Sequence, residues 1–251
     1  MKKSSISILL IMVFFPLVSQ PNEPEGSNLT FGADIVSRYI WRGLNLGGPS
    51  PHVQPYIEYA AGNSGLAIGF WGSYGLGAGS ALTEADLYIS YTPADFLTFT
   101  VTDYFFPSDI PFSRDRYFNY KEGETGHTIE GMVSFNGTES FPLSVLFAMN
   151  LYGADGTNPD GENYFAKYLE LGYSTSYRDT GIDLFAGIAL DNPDTEQGAE
   201  GWYGESAGLI NLGITLSKDI RFSEAFSVPA FSSLVLNPEA GNIYMVIGLS
   251  F

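Results

Sequence analysis

IYMVIGLSF (243–251) closes the chain, and its reading decides the fold. Ile243, Met245, Ile247, Leu249 and Phe251 alternate with Tyr244, Val246, Gly248 and Ser250. Successive side chains of a β-strand point to opposite sides, so period-two alternation marks a strand with two unlike faces. One face here is wholly apolar and ends on an aromatic ring at the last residue. The end strand of a water-soluble β-sandwich can alternate in the same way, so this segment has to be weighed against the rest of the chain.

The rest of the chain repeats the pattern. About twelve alternating runs follow one another, at 29–42, 52–61, 66–74, 84–92, 97–106, 127–135, 143–152, 165–177, 181–190, 209–218, 227–236 and 242–251. Most lie near the roughly 9–11 residues that a tilted strand needs to cross a bilayer. In one run Ile210, Leu212, Ile214 and Leu216 oppose Asn211, Gly213, Thr215 and Ser217. In another, Ala85, Leu87, Ile89 and Tyr91 oppose Glu84, Asp86, Tyr88 and Ser90. Connections alternate between short turns (61–65, 92–96, 136–142, 178–181) and longer loops (106–126, 152–164, 190–208), with 219–226 and 237–241 breaking the rule. Membrane barrels place short turns on the periplasmic side and long loops outside. The expected fold is therefore all-β, a transmembrane antiparallel up-and-down β-barrel of about 12 strands. Tyr39, Trp41, Tyr59, Tyr74 and Tyr91 fall at run ends, where an aromatic belt at headgroup level would sit.

The amino terminus agrees with an exported barrel. Lys2 and Lys3 precede a short apolar core from Ile6 to Val18, interrupted by Pro16, with Leu17 and Ser19 placed for cleavage. That is a signal peptide over 1–19, too short for a spanning helix. The division that follows is a periplasmic N-terminal segment at 20–28 and an outer-membrane barrel at 29–251. There is no Cys, which excludes lipoprotein processing, disulfides and thiolate chemistry. Without the leader, nine basic residues face 28 acidic ones, a balance of −19. Phosphate backbones require clustered Lys and Arg, so nucleic acid is excluded as a partner. Aromatic residues make up 15% of the sequence, too many for a disordered chain.

Two resemblances extend this reading. A closing strand with a terminal Phe resembles the assembly signal of bacterial outer-membrane barrels, which makes Phe251 the expected contact for the barrel assembly machinery. DIVSRYIWRGL (34–44), VQPYIEY (53–59), GLAIGFWGSYG (65–75) and EADLYISYT (84–92) resemble, in order and spacing, the opening strands of the TorF-type porin family of small outer-membrane proteins. The likeness covers residues 29–106 and implies a barrel with a transport role, with no catalytic motif to carry over.

Continuing the alternation inward gives the lumen candidates. They are Asp34, Arg38, Arg42, Gln54, Tyr56, Glu58, Glu84, Asp86, Tyr88, Glu130, Glu170 and Asp183, with Asn150 and Tyr168 beside them. Seven carboxylates against two arginines make an acidic wall, which favours cations and small polar solutes. Arg38 and Arg42, read as four apart on one strand, would project inward about 13 Å apart and meet Glu58, Glu84 or Asp86. The same charges could instead tie a plugged interior together.

Other chemistry is thin. His52 and His127 are the only imidazoles, no GxSxG elbow is present, and His127 reads as a solvated residue at the outer rim, so no enzyme is expected. DGTNPDGE (155–162) and DNPDTEQ (191–197) offer oxygen donors without calcium-loop spacing, so no metal or cofactor is expected. Expected partners are outer-membrane lipids and lipopolysaccharide, the assembly machinery and small polar solutes. The functional expectation is an outer-membrane porin-like channel for small polar or cationic solutes. The alternative is a closed barrel with a structural or loop-mediated binding role, a lipid hydrolase being remoter.

Overall fold

The computed structural model describes residues 28–77, 82–107, 116–138, 140–224 and 226–251. The expected leader at 1–19, and all of the segment 20–28 but its last residue, lie outside them. Strand β1 (Leu29–Val36) leads into two short strands, β2 (Ile40–Trp41) and β3 (Leu44–Asn45). Then come β4 (His52–Ala60), β5 (Leu66–Gly75), β6 (Glu84–Ala94), β7 (Leu97–Phe105) and β8 (His127–Phe135). After β9 (Leu143–Gly153), β10 (Lys167–Tyr177) and β11 (Thr180–Ala189), a 3-10 turn (Thr195–Gln197) precedes β12 (Gly208–Arg221), β13 (Ser227–Asn237) and β14 (Asn242–Ser250). The wall strands pair antiparallel, and β1 bonds both β4 and β14, closing a barrel of 12 strands.

The two faces of each strand are sorted as alternation demands. Ile243, Met245, Ile247 and Leu249 of β14 are exposed outward, as are Leu87, Ile89 and Tyr91 of β6. Buried on the inner face are Gln54, Glu84, Asp86, Ser90, Thr100, Glu130, Ser134, Asn150, Asn211 and Thr215. A water-soluble sandwich would be sorted the other way, apolar within and polar without. An apolar outer surface around a polar interior is the arrangement of barrels surrounded by lipid. Inward glycines make room for aromatic rings on neighbouring strands. A Cβ at Gly213 would lie 2.4 Å from the Phe185 ring and one at Gly248 2.2 Å from the Phe231 ring. These two glycines sit directly across from those residues in the ladders.

One end carries the short connections 61–65, 95–96, 136–142, 178–179 and 222–226. The run that looked too long at 219–226 is short because β12 continues to Arg221, paired with Ser227. Exposed rings of Tyr59, Tyr91, Phe96, Phe141, Tyr177, Phe222, Phe226 and Phe251 gather at this end. The other end carries the long connections and one short turn, 238–241, which keeps the exception expected there. There the first expected strand, 29–42, ends early: β1 stops at Val36 and the chain turns into the barrel. Tyr39 and Trp41 are accordingly buried in the interior, where the run-end reading had placed them in a belt at headgroup level.

Candidate functional site: the inward-folded hairpin

Residues 37–51 join β1 to β4 at the long-loop end. Ser37 keeps one more wall contact, its amide donating to the Ile247 carbonyl at 2.8 Å while its Oγ accepts from the Ile247 amide at 2.9 Å. Beyond it β2 and β3 form a minimal hairpin, Ile40 opposite Asn45 and Trp41 opposite Leu44. Arg42 (φ 48°) and Gly43 (φ 80°) make the two-residue turn. Positive φ at both positions is the signature of a type I′ hairpin turn, which Asn-Gly normally fills. Arg in the first position costs about 1–2 kcal/mol of backbone strain. Its side chain shows what holds it there.

Arg42 is 7% exposed and forms a forked pair with Glu130 of β8, itself 1% exposed, at 2.5 and 2.9 Å. It also donates to the Tyr203 hydroxyl at 2.6 Å, while the Tyr104 hydroxyl donates to Glu130 at 3.1 Å. Its guanidinium lies 4.5 Å from the Trp41 ring and 4.6 Å from the Tyr168 ring. Burial pushes the Tyr203 phenol above its ordinary range although Arg42 pulls it down, so that hydroxyl is neutral and free to accept. Gly43 packs its backbone on the wall: a Cβ there would stand 1.8 Å from the Ile210 carbonyl oxygen. Asn237 of β13 donates to the Gly43 carbonyl at 3.2 Å.

The hairpin tip thus reaches from the β1–β4 seam to β8, five strands away around the ring. Ile40 packs on an apolar seat of Val36, Phe231 and Val246. Tyr39 packs 5.5 Å from Trp71, and His52 anchors the base, Nε2 at 3.2 Å from the Gly47 carbonyl and Nδ1 at 2.9 Å from Ser73 Oγ. A cavity of about 50 Å³, lined by Arg38, Gln54, Trp71 and Asn211 among others, lies against the hairpin.

The lumen candidates separate into groups. Arg42 and Glu130 meet. Arg38 and Arg42 do not share a strand, and Arg42 does not pair with Glu58, Glu84 or Asp86, because the hairpin carries it across the barrel. Arg38 remains near the seam, 5.6 Å from the Tyr244 ring. Tyr88 donates to Glu58 at 2.9 Å and Ser174 to Asp183 at 2.6 Å. Glu170 accepts from Asn211 at 2.8 Å and from Tyr168. Asp86 accepts from the Phe105 amide at 3.3 Å, and Gln54 donates to Ser73 at 3.3 Å. Asp34 is buried across from Ser250 and Gln54 in the ladders, and Tyr56 lies across from Gly32.

His127 departs from its expectation of a solvated rim residue. It is fully buried, Nδ1 2.7 Å from Asp103 and Nε2 2.6 Å from the Tyr117 carbonyl, with Tyr120 stacked at 4.1 Å. The carboxylate and carbonyl around its two nitrogens both accept, which fastens segment 116–126 to the rim. The acidic loops are stapled internally: Asp155 accepts from Asn150 and Gly156, both at 2.8 Å, and Asp191 pairs with Lys167 at 2.6 Å. The inward alternation of the sequence does not point to Tyr104, Tyr168 and Tyr203 as neighbours of Arg42. The pair Trp202-Tyr203 within an otherwise acidic loop is the sequence signal that points to it.

A family model described as "Bacterial protein of unknown function (Gcw_chp)" matches residues 21–226, and the chain belongs to that family. A search of curated proteins finds no match.

Proposed function

We propose that this protein resides in the bacterial outer membrane as a porin-like barrel whose lumen is closed at rest by its own first long connection. Small polar or cationic solutes pass when that hairpin leaves the lumen. The observation that carries this reading is the forked Arg42–Glu130 pair, which fixes the tip of 37–51 to the opposite wall. The acidic wall supplies the preference for cations, since fixed carboxylates in a narrow passage raise the local cation concentration. The resemblance of residues 29–106 to TorF-type porins implies a transport role, while the family whose model matches carries a different name and no assigned function. His52 and His127 are assigned a structural role, fastening 37–51 and 116–126 to the wall.

The test is to remove the plug and keep the wall. β1 and β4 pair from Leu29 opposite Tyr59 to Val36 opposite His52, so a short Gly-containing turn can replace residues 38–50. In planar bilayers the shortened protein should show steady conductance with a cation-selective reversal potential. The full chain should show rare, brief openings of the same selectivity. Equal conductance from the two proteins would refute the plug, and anion selectivity in the shortened one would refute the acidic lumen.

A further inference from the structure

A second cavity lies at the long-loop end, on the Trp41 and Leu44 side of the hairpin. Its volume is about 240 Å³, and its walls are Trp41, Leu44, Leu46, Leu82, Tyr104, Phe106 and Trp202, with Glu84 among them. Seven of these eight side chains are apolar or aromatic. The exception is a carboxylate 1% exposed to solvent whose Oε2 has no hydrogen-bond partner among the described residues. The indole N–H groups of Trp41 and Trp202 are likewise without acceptors among those residues.

The charges nearby do not satisfy Glu84. Arg42, the cation at the hairpin tip, is committed to Glu130. Asp86, two residues along β6, is another buried acid, and it and the Tyr39 hydroxyl are hydrogen-bonding neighbours of Glu84, so Glu84 has polar company but no counter-cation. A buried carboxylate with no counter-cation, on a cavity otherwise lined by apolar and aromatic side chains, is costly to keep charged unless a cation is brought to it. Four aromatic rings around the same space add a preference of their own, since the faces of Trp, Tyr and Phe attract ammonium groups. A dry cavity of roughly 150 Å³ holds one benzene ring, so about 240 Å³ accepts a ring with a short chain.

We propose that this cavity is a binding site for a compact hydrophobic ammonium ion, an aryl-alkylamine or similar amine, whose charged nitrogen is held by Glu84 and whose apolar body packs between Trp41 and Trp202. The site deepens the reading of a cation-preferring barrel by naming a solute class, and it rests on that reading only for the sign of the charge. Occupancy does not require an open lumen.

Binding is therefore measured on the folded, full-length protein in detergent, independently of conductance. Calorimetric titration with 2-phenylethylammonium should show saturable 1:1 binding, while the neutral 2-phenylethanol binds at least tenfold more weakly and phenylacetate not at all. Glu84→Gln keeps the shape and removes the charge, so it should weaken the amine about tenfold or more and leave the alcohol unchanged. Trp202→Ala lies outside the barrel wall and should also weaken the amine at least tenfold, which covers the case of a Glu84 variant that fails to fold. Equal binding of amine and alcohol, or unchanged amine affinity in either folded variant, would overturn the site. Saturable amine binding by a protein that never conducts would refute the channel and leave the site standing.

Discussion

Replacing Arg42 by Ala removes the contact that ties the hairpin to the far wall, and its effect can be sized from the geometry. Deleting one member of a buried ion pair costs about 3–5 kcal/mol, because the remaining charge loses its counter-charge. Glu130 keeps the hydrogen bond from Tyr104, which places the loss toward the lower figure. The decisive matter is which equilibrium absorbs it. The ladder bonds of the wall do not involve residue 42, so the loss falls on docking of the hairpin and not on closure of the barrel. At 1.4 kcal/mol per factor of ten, about 3 kcal/mol multiplies the undocked population roughly a hundredfold.

Single-channel recording reads that population as the fraction of time spent conducting. The fraction should rise about a hundredfold in Arg42→Ala, with heat-modifiable gel mobility unchanged. Glu130→Gln keeps an acceptor for Tyr104 and Arg42 and should raise it less. Replacing both partners, Arg42→Met with Glu130→Leu, removes both charges together and should restore closure to within about tenfold, since apolar substitutes for a buried pair are often neutral or stabilising. A lower melting temperature in Arg42→Ala with no added conductance would show that the pair clamps the whole barrel, and the reasoning would fail.

Other consequences follow from named contacts. Gly43→Val places a β-branched residue at φ 80° with its Cβ 1.8 Å from the Ile210 carbonyl, so it should expel the hairpin and conduct as the shortened protein does. His127→Ala should leave barrel mobility on gels intact but speed protease cutting within 116–126, because it removes contacts to Asp103, Tyr117 and Tyr120. An epitope inserted at Gly123 should bind antibody on intact cells and one at Asp95 should not; reversed labelling would invert the barrel. Deleting Phe251 should lower the amount of membrane-inserted protein more than the stability of what inserts, as measured by fractionation against gel mobility.

Most of the wall was legible because period two is a local property. The runs 127–135 and 143–152 correspond to β8 and β9 to within a residue, and 227–236 and 242–251 to β13 and β14. The hairpin was not legible for a definite reason. In DIVSRYIWRG one face mixes Asp34, Arg38 and Arg42 with Val36 and Ile40 and the other mixes Ser37 with Ile35, Tyr39 and Trp41, so the pattern marks no end at Val36 and a strand and a strand followed by a hairpin look alike. The length of the run was the available warning, since 29–42 exceeds the roughly 9–11 residues a barrel strand requires. The Arg-Gly pair at its end was the second, because a two-residue turn with positive φ usually carries Gly. Nothing local could have named Glu130, 88 residues away, as the partner of Arg42.

The charge imbalance of the sequence makes the plug and the cavity parts of one arrangement. With 28 acidic residues against 11 basic ones in the chain, carboxylates facing the lumen outnumber the cations able to neutralise them. Arg42 satisfies Glu130 by crossing the barrel, and in doing so it carries Trp41 and Leu44 to the space beside Glu84. Docking the hairpin therefore places it inside the barrel, as the proposed plug requires, and completes the apolar walls around an acid that it leaves without a cation. An ammonium ion bound there would contact the docked hairpin through Trp41 and would lose that contact when the hairpin leaves. By linkage, a ligand that prefers the docked state stabilises it, so amine binding and conductance should oppose one another. Saturating 2-phenylethylammonium should then shorten the openings of Arg42→Ala. Openings of unchanged length would show that the hairpin and the cavity are energetically independent.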